Sequence, residues 1–342
     1  MALYLVTGGG GFIGSHLVEE LLRRGERVRV LDNFATGKRE NLTEVVNALG
    51  AQRSAQAERL RSHLEVVEGD VRSYHIVREA VEGVDFILHQ AALPSVPRSV
   101  RDPLTTNEVN VVGTLNILNA GKEARVQRIV CASSSSIYGD LETLPKTEDM
   151  LPKPLSPYAV SKLAAEKYCQ VFTRLYGLET VCLRYFNVFG PRQDPASQYS
   201  AVIPKFISMV AQGERPIVYG DGTQSRDFTY VSNVVQANLL ACDAQPDCAS
   251  GEVFNIAYGR RVTVNELVRL INELLGSSVE PIYAEARVGD VRHSLANIGK
   301  ARQYLGYAPE VDFATGLQRC IDFFVSKREG VLSIAGKESV RV

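Results

Sequence analysis

The 342-residue chain has no excess of charge of either sign. Its 38 Lys and Arg stand against 39 Asp and Glu, a formal net charge of −1. No basic block offers a face for nucleic acid, whose binding rests on neutralising phosphates. The six cysteines, at 131, 169, 182, 242, 248 and 320, are scattered and include no CxxC pair. This argues against a disulfide framework or a zinc site and fits a reducing compartment. No apolar run reaches the ~20 residues that a membrane-spanning helix needs. No basic region precedes Ala2-Leu3-Tyr4-Leu5-Val6-Thr7, which reads as a first strand rather than a signal peptide. Repeats and low-complexity segments are absent. These absences lead to the expectation of a cytoplasmic protein with no metal and no nucleic-acid or membrane partner. What is present is ordinary for a globular chain, 45% apolar and 23% charged. The length suits one large or two moderate domains.

The stretch that organises the rest is Pro157-Tyr158-Ala159-Val160-Ser161-Lys162. Leu163 to Tyr176 continues it with helix formers and no Gly or Pro. Tyr158 and Lys162 are four residues apart, so on a helix they share one face. A free tyrosine titrates near ~10 and is a poor base at neutral pH. A cation held nearby favours the phenolate. The pair can therefore move a proton, with Tyr158 as base or acid and Lys162 as its tuner. By itself this spacing also describes a solvated Lys beside a half-buried Tyr.

Leu3 to Thr7 is an apolar run ending in glycines, as a buried parallel strand should. It leads into Gly8-Gly9-Gly10-Gly11-Phe12-Ile13-Gly14, with Gly8, Gly11 and Gly14 in GxxGxxG spacing. Leu17, Leu21 and Leu22 begin a helical period behind them. Such a turn lets backbone amides approach a pyrophosphate at a helix N-terminus. Arg27 to Leu31 is a second strand with Asp32 at its end. An acidic group there holds ribose hydroxyls and repels a 2′-phosphate, so NAD rather than NADP is expected. Lys38 and Arg39 lie nearby and are read as solvated. Further strands are Leu64 to Val71, Val84 to His89 and Arg128 to Ala132. Helices are expected over Ala48 to Arg61 and Thr105 to Ala120. Asp70 and Val71 fall where an adenine would lie, although a turn role for Asp70 has equal weight. Gln90-Ala91-Ala92 supplies small residues past a strand end, and His89 reads as a packed strand residue. The alternation gives a doubly wound parallel α/β sheet. The fifth strand runs into Ser133-Ser134-Ser135-Ser136-Ile137-Tyr138-Gly139, where ligands of such sheets bind. A Ser-rich turn capping its own backbone is the plainer reading of that run alone.

Glycine motif, serine run and Tyr-Lys pair in this order resemble the extended short-chain dehydrogenase/reductase family. Within it the chain is similar to the nucleotide-sugar 4-epimerases, from Leu5 to about Phe324. The telling stretches are His89 to Ala92, Ser95-Val96-Pro97-Arg98-Ser99, Leu183 to Gln193, Ser225-Arg226-Asp227-Phe228 and Gly289 to Ser294. The resemblance implies a Rossmann-type sheet with Tyr158, Lys162 and Ser134 as catalytic residues. It further implies that Phe12, Ile13, Asn33, Asn110 and Tyr185 join the cofactor contacts named above. Substrate would meet Ser95, the Ser134–Ser136 run, Asn187, Arg226, Arg287, Asp290 and Ser294. Related dehydratases and decarboxylases carry a carboxylate where Ser135 and Ser136 stand, so those reactions lose a needed group. Dimerisation through helices at 105–120 and 158–176 is a further expectation of the resemblance.

Past the sixth strand, Thr180 to Tyr185, the alternation loosens. Short strands near Ile217 to Tyr219 and Val253 to Ile256 mix with helices at Val264 to Leu275 and Ala314 to Val325. The expected division is a cofactor-binding domain over 1–185, a smaller interleaved substrate lobe over 186–330, and a loose tail over 331–342. The reading is a UDP-hexose 4-epimerase with tightly bound NAD+. It would interconvert UDP-GlcNAc with UDP-GalNAc, and UDP-Glc with UDP-Gal, through a transient 4-keto sugar. The rivals are a UDP-glucuronate 4-epimerase, another NAD-dependent nucleotide-sugar oxidoreductase, and a non-catalytic dinucleotide-sensing regulator.

Overall fold

A computed structural model describes residues 1–50, 54–194, 202–286 and 291–338. Six strands come first: β1 Leu3–Thr7, β2 Arg27–Asp32, β3 Leu64–Glu68, β4 Phe86–His89, β5 Arg128–Ser134 and β6 Glu179–Tyr185. Then follow β7 Val188–Phe189, β8 Ile217–Tyr219, β9 Ser225–Asp227, β10 Thr229–Tyr230, β11 Glu252–Ile256, β12 Arg261–Thr263 and β13 Ile282–Ala284. Seven form one sheet in the order β11-β6-β5-β4-β1-β2-β3, every pair parallel. The chain winds outward from β1 to β3, then returns beside β1 and winds the other way through β4, β5 and β6 to β11. The strand order therefore reverses between β1 and β4, which opens a crevice at their carboxyl ends.

The period of two along each strand builds a core on both faces. Tyr4 and Val6 pack with Leu17 and Leu21 of the helix Phe12–Arg23. Leu3 and Leu5 pack on the other face with Ile117 and Leu118 of the helix Gly113–Glu123. A third cluster gathers Phe189, Phe206, Phe228, Leu267, Phe313 and Leu317. It is floored by three short pairs: β7 with β10, β9 with β12, and β8 with β13. The sheet draws β11 from beyond residue 185, between the strands β10 and β12 of the short pairs.

Several element boundaries differ from the sequence reading. The third strand stops at Glu68 rather than Val71, because Ser73 N–H turns back to the Asp70 carbonyl. The fourth begins at Phe86 rather than Val84. The helix expected over Ala48 to Arg61 is two, Arg39–Gly50 and Ser54–His63. The run expected over Thr105 to Ala120 is Pro103–Asn107, a π-helical turn Glu108–Val112, and Gly113–Glu123. The last helix, Phe313–Glu338, continues into the segment read as a loose tail, which carries no proline to stop it. Residues 339–342 lie outside the described residues. No helix among the described residues is long and apolar enough to cross a membrane.

Candidate active site

The carboxyl ends of the sheet open onto a cleft of about 790 Å³. On one side β1 turns through Gly8 into the helix Phe12–Arg23. Gly8 takes a left-handed φ of 69°, and its carbonyl accepts from Gly11 N–H at 3.0 Å. The helix has no side-chain cap at Gly11 and no acidic residue in its first turn. Its first amides, at Phe12 and Ile13 on the cleft wall, are left for an anion. Asp32, at the end of β2, accepts from Gly10 N–H at 2.9 Å and Phe34 N–H at 2.8 Å. Burial pushes its carboxyl above the usual range. A carboxylate fixed here can bind ribose hydroxyls and repel a further phosphate.

At the ends of β3 and β4 the cleft narrows. The Asp70 carboxylate pairs with Arg72 at 2.8 Å and accepts from Asn33 at 2.9 Å. The Arg72 guanidinium holds it at about 2, well below the usual range. Asp70 is thus committed to its neighbours and shapes the wall with Val71. Gln90, Ala91 and Ala92 line the opposite wall. The Tyr185 hydroxyl donates to Gln90 at 3.2 Å and accepts from Asn238 at 2.8 Å. Asn110 does not line the cleft. It sits fully buried in the π-helical turn, accepts from Leu93 N–H at 2.8 Å and donates to Ser161 at 3.0 Å. It supports the wall from behind, and the extra residue of the π turn turns its amide inward. His89 uses both ring nitrogens on Thr7 and Thr114, as a packed strand residue should.

Tyr158, Lys162 and Ser134 all line the cleft. The helix Pro157–Tyr176 starts on Ser156, whose hydroxyl accepts from Ala159 N–H at 3.1 Å, with Pro157 at its first position. Tyr158 and Lys162 occupy its first turns on one face, the tyrosine half-buried and the lysine buried. Lys162 donates to the Ala132 carbonyl of β5 at 2.9 Å. Ser134 ends that strand two residues on, its hydroxyl accepting from Ser136 N–H at 3.2 Å. A phenol, an ammonium and a hydroxyl on the wall of one cleft can move a proton to and from an alcohol.

The residues expected to meet substrate that line the cleft are Ser95, Ser135, Ser136, Asn187, Arg226 and Ser294. Ser95 is partly committed, capping its own helix by accepting from Arg98 N–H at 3.1 Å. Asn187 is exposed and held at a left-handed φ of 32°, at the end of β6. Arg226, on β9, donates to the Arg292 carbonyl at 3.2 Å, and Ser294 N–H donates to the Ser225 carbonyl at 3.1 Å. Arg287 and Asp290 lie outside the described residues. The sequence reading missed Arg98, Lys146, Gln193 and His293, which also line the cleft. Arg98 comes from the short helix Val96–Arg101 and the others from segments without periodic signal, although Arg98, Gln193 and His293 lie inside the stretches that carried the resemblance. Away from the cleft, Cys131, Cys169 and Cys182 bring their sulfurs within 4.8 Å of one another in the closed core.

The model of the NAD dependent epimerase/dehydratase family matches residues 4–257, and the chain belongs to that family. It stands with the UDP-sugar 4-epimerases, which are NAD-dependent isomerases. Among solved structures it is similar to a UDP-N-acetylglucosamine 4-epimerase from Methanobrevibacter ruminantium M1 in complex with UDP-N-acetylmuramic acid. That match has a TM-score of 0.87 and 38% identity over 95% of this chain and 99% of the other. It is 36% identical to the UDP-glucose 4-epimerase of Mycolicibacterium smegmatis, over 95% of this chain and 99% of that protein. It is 30% identical to a UDP-glucuronate 4-epimerase of Thermodesulfobacterium geofontis, over 98% and 99%.

Proposed function

We propose that this chain interconverts UDP-GlcNAc and UDP-GalNAc, and also accepts UDP-Glc and UDP-Gal. The observation that supports the reading is that Tyr158, Lys162 and Ser134 line the same cleft as an uncapped helix start and Asp32. Gly8, Gly11, Phe12, Ile13 and Gly14 fit the diphosphate of NAD and Asp32 its ribose. Bound there, NAD supplies a reversible hydride acceptor for the sugar C4. Tyr158 takes the proton of the 4-hydroxyl on its phenolic oxygen and later returns it. Ser134 orients that hydroxyl, and the Lys162 ammonium favours the phenolate. Arg226, with Arg287, holds the diphosphate by charge-assisted hydrogen bonds. Asn187 binds the substrate with its amide, and Asp290 takes the uridine ribose. Inversion needs the 4-keto sugar to turn between the two proton transfers, so the cleft grips the diphosphate and leaves the sugar free. No net oxidation results, and the cofactor stays bound through turnover.

One observation favours a second reading. Ser136 Oγ is buried at the cleft wall with no hydrogen-bond partner among the described residues. A sugar carboxylate would satisfy it, and UDP-glucuronate would then be the substrate. We also propose a cytoplasmic homodimer. All six cysteines are free, as a reducing compartment would keep them. Leu104 and Val112 on one helical run, and Val160, Tyr168, Val171 and Leu175 on the helix Pro157–Tyr176, are exposed apolar side chains that a second copy would cover.

Ser294 tests the choice of sugar. Its small side chain leaves room beside the C2 substituent, so Ser294→Tyr is expected to cost the N-acetylated pair far more than the plain pair. The readout is the ratio of kcat/KM for the two pairs. An unchanged ratio would mean that Ser294 only shapes its loop and would remove the basis for the acetamido assignment.

A further inference from the structure

A chain of buried polar groups runs from the cleft wall, where Ser133, Tyr138 and Lys146 stand, back to Glu166, Arg184 and Asn255, which do not line the cleft. Glu166 follows Lys162 by one helical turn on the same face of the helix Pro157–Tyr176. Its carboxylate accepts from the Ser133 hydroxyl and from Arg184, by Nε and Nη2 at 2.9 Å each. Arg184 stands directly opposite Ser133 in the β5–β6 ladder. Its Nη1 donates at 2.7 Å to the Tyr138 hydroxyl, which donates at 2.7 Å to Asn255 Oδ1 on β11. Asn255 Nδ2 in turn donates to the Lys146 carbonyl at 3.0 Å, and Lys146 N–H donates to the Leu295 carbonyl at 2.7 Å, next to Ser294. Glu166 and Arg184 are 1% and 3% exposed.

We infer that Glu166 and Arg184 are positioning residues for the reaction, locking the helix that carries Tyr158 and Lys162 to the strand that carries Ser134. This rests on the reading of those three as the catalytic groups. Two side chains one turn apart grip two consecutive residues of β5: Lys162 holds the Ala132 carbonyl, and Glu166 holds the Ser133 hydroxyl. The helix then cannot slide along the strand without breaking both bonds. The next residue is Ser134, whose side chain points to the opposite face of the strand, into the cleft. Arg184 extends the lock through Tyr138 to the turn Ser135–Tyr138, which forms the wall after Ser134. A fully bonded buried pair specifies one arrangement, because any alternative strands a charge away from water. Proton transfer needs donor and acceptor in place to a fraction of an ångström, so the lock acts on turnover rather than on affinity.

Removing Glu166 or Arg184 outright strands a buried charge, and such variants risk misfolding. The test therefore uses Ser133→Ala and Tyr138→Phe, which delete one hydroxyl at each side of the pair and leave the pair itself intact. Each is measured for kcat, KM, bound NAD and melting temperature on the full chain. Each is expected to lower kcat about tenfold or more, with KM and NAD content within about twofold of wild type. Either variant retaining kcat within about twofold of wild type per folded molecule, or losing KM instead of kcat, overturns the inference. Tyr158→Phe is run alongside. If it is inactive while Ser133→Ala is not impaired, the lock fails and the site stands. If Tyr158→Phe is active, the site reading itself fails.

Discussion

Tyr158→Phe is expected to lower epimerisation by about 10²–10⁴-fold while leaving the fold and the bound cofactor intact. The ring fills the same half-buried place at the start of the helix Pro157–Tyr176, and the helix start depends on Ser156 and Pro157, not on the phenol. What disappears is the proton acceptor. Lys162 stays anchored on the Ala132 carbonyl, so nothing else moves into its role, because an ammonium has no lone pair to accept the proton. Turnover above half the wild-type value would remove Tyr158 from the mechanism.

Gly14→Ala is expected to give protein that purifies without NAD and has no measurable turnover. A Cβ at Gly14 would lie 2.1 Å from the Gly8 carbonyl oxygen and 2.8 Å from Gly9 Cα. Both obstacles are backbone. Gly8 is held in place, because its N–H donates to the Leu31 carbonyl at 2.8 Å and its carbonyl accepts from Gly11 N–H at 3.0 Å. Relief must come from moving the helix Phe12–Arg23 off β1, which withdraws the amides that face the cofactor. Overpacking of this kind costs typically ~1–3 kcal/mol or more, so a lower melting temperature should accompany the loss. The check is the nucleotide released on denaturation, per mole of chain. A Gly14→Ala protein with a full complement of NAD would show that this turn does not cradle the cofactor.

Much of this architecture was legible in the chain because the information was local. The alternation of strands and helices follows from apolar runs and helical periods, and the helix Val264–Leu275 and the strand Ile217–Tyr219 fall where the pattern placed them. The glycine turn and the Tyr-Lys spacing are short-range geometry as well. What was not legible depends on contacts far apart in sequence. The π turn at Glu108–Val112 exists to seat Asn110 against Leu93 and Ser161, and the helical period there gives no sign of it. Arg184 reads as an ordinary residue of β6 until Glu166, Tyr138 and Asn255 are brought around it. The cysteines look scattered, yet Cys131 and Cys182 face each other across the β5–β6 ladder, with Cys169 packed over them. Asp70 reads equally as an adenine contact or a turn residue. The structure resolves its partners, Arg72 and Asn33, and leaves it on the cleft wall.

The most direct test of the central claim is to incubate the purified chain with UDP-GlcNAc and no added NAD, and to follow the sugar C4 configuration by NMR. The account expects UDP-GalNAc to accumulate to an equilibrium reached equally from either sugar, with no NADH released. UDP-GlcNAc left unchanged, or turnover that requires added NAD and accumulates free NADH, would contradict it.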